Sequence, residues 1–227
     1  MARKIKEHKE KVKEFRLAYG SNGIDQITID QVYGGMRGLK LLIREISSID
    51  PQEGTLIRGH SISELRKMLP KNSQGKEPLP EGLFWLFLAG KMPNEHQVKC
   101  VSKMLAAHAQ LPPHVINMLN NFPTDLHPIK QFSAAIIACS NESLFAKAHS
   151  SGASKNSYWE TTYDDAIRLI AKLPTIAAII YRNLYCNRSP IGPIDVNNDW
   201  STNFSSMLGF NDPKFAKLMR LFLTIHR

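Results

Sequence analysis

Residues 80–89 read Pro80-Glu81-Gly82-Leu83-Phe84-Trp85-Leu86-Phe87-Leu88-Ala89, and this stretch decides the fold class. Proline stands where a first helical turn tolerates it, because the amide hydrogen it lacks would have no intrahelical partner there. The apolar run from Leu83 to Ala89 then covers every side of the helix. A helix of that kind belongs inside a large core. The run is also far too short to cross a bilayer. The expectation is a soluble, mainly α protein with no membrane partner.

Outward from this segment the helical signals continue in both directions. Ser61 to Leu69 reads as a short helix, separated from Pro80 by a polar loop, Lys71 to Glu77. Asn94 to His108 repeats Val98, Val101 and Leu105 at helical spacing. Pro113 to Leu119 and Pro128 to Cys139 each open with proline and are rich in isoleucine, alanine and methionine. A longer helix is expected over Tyr163 to Tyr185, kinked at Pro174. Trp200, Phe204 and Met207 mark another. The last begins at Asp212 as capping carboxylate and Pro213 at the first helical position, then carries Phe215, Leu218, Met219, Phe222 and Ile225.

Only two segments read as β structure. Gln26 to Tyr33 alternates isoleucine with polar residues and predicts a short strand, ended by Gly34 and Gly35. A second element is expected over Ile49 to Arg58, turning through Asp50-Pro51-Gln52-Glu53-Gly54. The resulting division is a basic N-terminal helix over residues 1–20 and a mainly helical remainder over 21–227, within a length that suits one large domain or two small ones. The amphipathic pattern is still running at Arg227, which is read as an incomplete domain ending inside a helix; the alternative is a C-terminal helix that frays into solvent.

The formal net charge is +9. Much of the excess lies in Arg3, Lys4, Lys6, Lys9, Lys11, Lys13 and Arg16, interleaved with Glu7, Glu10 and Glu14. Such a run either attracts a polyanion or forms a solvated helix laced with pairs three or four residues apart. No zinc-finger spacing, RRM-type aromatic motif or basic-zipper pattern accompanies it, so nucleic acid is not expected as a partner. Acidic residues among the lysines, and no serine before Ser21, give no clear import signal. Cys100, Cys139 and Cys186 are odd in number and far apart, which suits reduced, half-buried thiols.

Other reactive side chains do not combine. His108, His114 and His127 lack metal-ligand spacing on any one helix, so no metal is expected. Asp164 and Asp165 are adjacent and point in different directions on a helix, so they cannot act as a paired acid and base. Cys139 has no histidine at a motif-like position and reads as a buried thiol.

Six phrases carry a more specific message. They are Gln-Ile-Thr-Ile-Asp from Gln26, Tyr-Gly-Gly-Met-Arg-Gly from Tyr33, and Pro-Leu-Pro-Glu-Gly-Leu-Phe-Trp-Leu from Pro78. Asn-Phe-Pro-Thr-Asp-Leu-His-Pro from Asn121, Ile-Ala-Lys-Leu-Pro-Thr-Ile-Ala-Ala from Ile170 and Leu-Met-Arg-Leu-Phe-Leu-Thr-Ile-His from Leu218 continue the series. In order and almost from end to end, the chain resembles the first half of eukaryotic, mitochondrial-type citrate synthase. The resemblance implies a multi-helical large domain, incomplete here, in a homodimeric mitochondrial-matrix acyltransferase of the tricarboxylic acid cycle. Its reaction condenses acetyl-CoA with oxaloacetate to citrate and CoA by acid-base chemistry, without a tightly bound cofactor.

The resemblance also implies which roles are missing. The family's catalytic histidines, aspartate and substrate arginines lie beyond the matched phrases, so no catalytic residue is assigned. Thr224, Ile225 and His226 open the family phrase Thr-Ile-His-Ser-Asp-His-Glu-Gly-Gly-Asn, but Arg227 stands where serine is expected. Two positions match family residues that touch CoA. Arg37 corresponds to a phosphate-binding arginine, flanked by glycines that let backbone approach a ligand; the alternative is an arginine closing a turn by an ordinary salt bridge. Lys155 stands where the family has an arginine that reaches the partner subunit's CoA; it keeps the charge but loses the planar fork. The segments 113–121 and 127–140 match helices that build the family's subunit interface, with burial inside one subunit as the alternative. The chain is therefore expected to act as the non-catalytic part of such an enzyme, or as a truncated form that pairs with a full-length subunit.

Overall fold

The computed structural model describes residues 2–39, 45–52, 54–72 and 76–225. Glu53, part of the predicted turn, and His226 and Arg227 lie outside the described residues. The chain divides into two compact units, Met1–Gly59 and His60–Arg227.

In the first unit, helix α1 (Ala2–Tyr19) carries the basic run and buries no residue. Arg3 pairs with Glu7 one turn on at 3.2 Å, as the mixed charge pattern suggests. Residues 26–33 do not form the strand expected from their alternation. Thr28 instead caps helix α2 (Ile29–Tyr33): Gln31 N–H donates to Thr28 Oγ1 at 3.3 Å, and Thr28 N–H donates to Gln31 Oε1 at 3.0 Å. This reciprocal capping box satisfies two amides that a strand would leave without a ladder. Ile27, Ile29 and Val32 are all exposed, so the alternation does not mark a buried sheet face. The second β expectation holds: β1 (Ser47–Asp50) runs antiparallel to β2 (Gly54–Ile57), with Ser47 opposite Ile57 and Asp50 opposite Gly54.

The second unit is helical and is organised around one long helix. Its α-helices are α3 (Ile62–Met68), α4 (Pro80–Ala89), α5 (Glu95–His108), α6 (Pro113–Asn121), α7 (Pro128–Cys139), α8 (Leu144–Ser150), α9 (Tyr158–Tyr185), α10 (Trp200–Leu208) and α11 (Pro213–Ile225). Helix α9 touches α5, α6, α7, α8 and α10. Its buried positions Ile167, Ala171, Thr175 and Ala178 recur every three or four residues and define one face. Ala171 and Ala178 let neighbouring helices approach closely, while Thr175 Oγ1 donates to the Ala109 carbonyl at 2.8 Å. The helix passes through Pro174 without interruption and starts five residues before the expected Tyr163.

Two layers of core flank α9. Leu111, Val115, Leu119, Ala135 and Cys139 close on Ile176, Ile179 and Ile180, joining α6 and α7 to it. Val101 and Leu105 of α5 close on Ala171, with Phe84, Trp85 and Trp200 at the margin. Each fully buried aliphatic side chain of this kind stabilises by about 1.5–3 kcal/mol relative to exposure. Helix α4 is less enclosed than its composition implies. Glu81, Gly82, Leu83 and Leu86 face the core, whereas Phe84, Trp85 and Phe87 are half-buried and Leu88 is exposed. Among the described residues, no helix is long and apolar enough to cross a membrane.

Candidate functional site

Arg37 sits on the reversed turn that follows α2. Gly34 N–H donates to the Asp30 carbonyl at 2.8 Å, and Met36 N–H reaches back to the Gln31 carbonyl at 2.7 Å. Gly35 and Gly38 have φ of 77° and 81°, and Met36 between them is held at 61°. A non-glycine residue in the left-handed region costs energy, so this turn is imposed by its closing bonds and its glycines. It carries Arg37 into solvent, with glycine on the C-terminal side, where no side chain competes for an approaching ligand.

Lys155 lies in the turn between α8 and α9 and is also exposed. Ser154 builds that turn: its carbonyl accepts from Ser157 N–H at 2.9 Å and Ser157 Oγ at 2.8 Å, while its hydroxyl accepts from Asn156 N–H. Below the turn, the Phe145 ring meets Tyr158 edge-on at 5.1 Å, and His149 packs beside both. Arg37 belongs to the first compact unit and Lys155 to the second, each on its own exposed turn.

Asp165 explains why α8 starts where it does, a helix the sequence reading missed. Its carboxylate accepts from Ser143 Oγ at 2.7 Å, Leu144 N–H at 2.8 Å and Phe145 N–H at 2.9 Å. Burial pushes this carboxyl up, but the three donors outweigh it and hold the group below its ordinary value. Its neighbour Asp164 points to solvent, as expected for adjacent helical positions. Sequence order alone hid the bond, because 21 residues separate Leu144 from Asp165.

Helices α6 and α7 present two faces. Val115, Leu119, Ala135 and Cys139 turn inward, while Ile129 and Ile137 of α7 are 65% and 71% exposed. His127 caps α7 by accepting from Ile129 N–H at its Nδ1, and the His114 ring meets the Ala138 carbonyl at 3.2 Å. Both histidines therefore have local structural work. Cys139 is buried, and desolvation pushes its thiol up. Cys100 departs from the half-buried state expected of it: it is exposed, beside His96 on the same face of α5. Near Cys139, Lys172 Nζ donates to Glu142 Oε2 at 2.5 Å and draws that carboxyl below its usual range.

The most demanding polar site went unread in the sequence. Glu81 is fully buried beneath α10; its Oε1 accepts from Trp200 N–H at 2.7 Å and from Ser102 Oγ at 2.8 Å. Desolvation pushes it up, and repulsion from Asp199 adds to this against the Trp200 hydrogen bond. Asp199 caps α10 through Thr202 N–H at 3.0 Å and receives the buried Arg220 of α11 at 2.8 Å. It stays below its ordinary value because Arg220 and Thr202 outweigh the cost of burial. An aspartate just before a helical run was the one legible signal here. These carboxylates are committed to holding α4, α5, α10 and α11 together.

A family model described as "Citrate synthase, C-terminal domain" matches residues 35–227. Mitochondrial citrate synthase of Kajikia audax is 57% identical over 222 residues, covering 98% of this chain and 47% of that protein. Probable mitochondrial citrate synthase of Caenorhabditis elegans is 53% identical over 226 residues, covering all of this chain and 48% of the relative. Among solved structures, citrate synthase from Pyrobaculum aerophilum superposes with a TM-score of 0.72 at 23% identity, over 90% of this chain and 49% of that one. That likeness supports the helical fold. A match over most of the residues, at more than half identity to the curated relatives, shows that this chain belongs to the citrate synthase family and spans about half the length of those relatives.

Proposed function

We propose that this polypeptide is a helical platform of a citrate-synthase-family acyltransferase, contributing cofactor-phosphate and subunit contacts but no complete catalytic set. The observation that carries the reading is 57% identity across 98% of the chain against only 47% of the relative. The resemblance gives the family's acid, base and dicarboxylate clamp to the other part of that length. Acetyl-CoA phosphates are met by Arg37, on its glycine-bracketed turn, while Lys155 reaches the CoA held by the partner subunit. Exposed Ile129 and Ile137 on α7 suit a homodimer or a full-length subunit, because the buried core of a homodimer interface is more apolar than the rest of the surface. The relatives are named mitochondrial, which supports the mitochondrial matrix as the location.

Titration of the 227-residue chain with CoA tests the site. Arg37→Ala should weaken binding about tenfold or more, since a charge-assisted bond contributes roughly 1.5–3 kcal/mol. Lys155→Arg should strengthen it, by restoring the bidentate fork. CoA affinity indifferent to both substitutions contradicts these roles.

A further inference from the structure

A cleft of about 580 Å³ opens between α10 and the start of α11, away from both Arg37 and Lys155 in sequence. Lys214, Lys217 and Arg220 line it together. They stand three residues apart on α11, so they share one side of the helix. Arg220 is 8% exposed and is held rigidly: its Nε and Nη2 donate to Asp199, and Nη2 also donates to Thr202 Oγ1. Among the described residues its Nη1 makes no hydrogen bond. Lys214 and Lys217 are exposed, with no ion pair among the described residues.

The rest of the lining suits an anion of metabolite size. The side-chain amide of Asn198 and the ring of Phe210, stacked on Phe215 at 4.3 Å, complete the walls. The carboxylate that lines the cleft, Asp212, is already engaged at the helix end, accepting from Lys214 N–H at 2.8 Å. Its charge remains and Arg220 is offset by Asp199, so the excess of cationic charge comes from Lys214 and Lys217 outnumbering Asp212. The volume falls within the range of small-molecule sites and is far too confined for a nucleic-acid duplex. Lysine ammonium groups bind phosphate as mobile point charges, and a fixed guanidinium adds direction.

We propose that this cleft binds the diphosphate or equivalent polyphosphate group of a small metabolite, through Lys214, Lys217 and the free edge of Arg220. Neither Arg37 nor Lys155 lines this cleft, and the proposal does not depend on the CoA contacts given to them above. Phosphate oxygens seat between the two ammonium groups, and Arg220 Nη1 closes the inner end. Its pairing with Asp199 couples occupancy to the junction of α10 with α11.

Inorganic pyrophosphate is the probe, titrated calorimetrically into the full 227-residue chain against sodium chloride of matched ionic strength. Binding should weaken about tenfold for Lys214→Ala/Lys217→Ala and persist in Lys214→Arg/Lys217→Arg and in Arg37→Ala. Because both lysines are exposed, the thermal midpoint of the alanine variant without ligand should match that of the parent chain. Affinity lost in Arg37→Ala but kept in Lys214→Ala/Lys217→Ala would overturn the proposal, placing the anion on the CoA turn. So would no binding above the chloride control.

Discussion

Arg220 and Asp199 form a buried pair, Nη2 to Oδ2 at 2.8 Å and Nε to Oδ1 at 3.3 Å, that ties the middle of α11 to the first turn of α10. The aspartate also caps α10, so one side chain anchors two helices. Arg220→Met leaves a buried carboxylate without its counter-charge, and such a loss costs about 3–5 kcal/mol. Urea unfolding should show that drop. Adding Asp199→Asn, which still caps a helix, should recover part of it.

Glu81 gives the opposite dependence on pH from Asp199. Its folded-state carboxyl lies above the ordinary 4.5, so the folded chain holds that proton more tightly than the unfolded chain does. Its contribution is fully present below 4.5 and is lost as pH rises through the window above it. Asp199, held below 3.8, contributes above that value and loses its contribution as pH falls through the lower one. Glu81→Gln keeps an acceptor for Trp200 N–H and Ser102 Oγ. It should therefore flatten the fall in stability on the acid-to-neutral side, measured by denaturation at stepped pH. An unchanged slope would show that Glu81 does not carry it.

Gly209 ends α10 at φ 94°, and an added Cβ there would fall on Arg182 Nη1. Arg182 itself secures the following loop, donating to the Pro190 carbonyl at 2.8 Å and the Leu208 carbonyl at 3.3 Å. Gly209→Ala should cost about 1–3 kcal/mol from backbone strain alone, and more if Arg182 is displaced. Thermal unfolding beside Gly59→Ala separates the two effects, because Gly59 also has positive φ but nothing within 4 Å of the added atom.

Helical periodicity carried most of the second unit into view. Val98, Val101 and Leu105 face inward as spaced, and Asp212 caps α11 with its carboxylate on Lys214 N–H. The errors have local causes. Gln26 to Tyr33 alternates like a strand, but the Thr28–Gln31 capping box closes within four residues and needs no partner strand. Helix α8 depends on Asp165, far along the chain, and short-range patterns cannot register such a cap. The apolar surround of α4 implied complete burial, yet its position leaves Phe84, Trp85 and Phe87 half-covered. Of the site residues, Arg37 and Lys155 were legible through resemblance alone. Glu81 and Arg220 were not, because a charge inside an apolar pattern acquires meaning only when its partner is located.

The most direct test of the platform reading supplies labelled acetyl-CoA and oxaloacetate to the purified 227-residue polypeptide and measures labelled citrate. None should form above a protein-free control. Citrate formed at enzymatic rates, with no other protein present, would contradict it by showing that these residues hold a complete catalytic set.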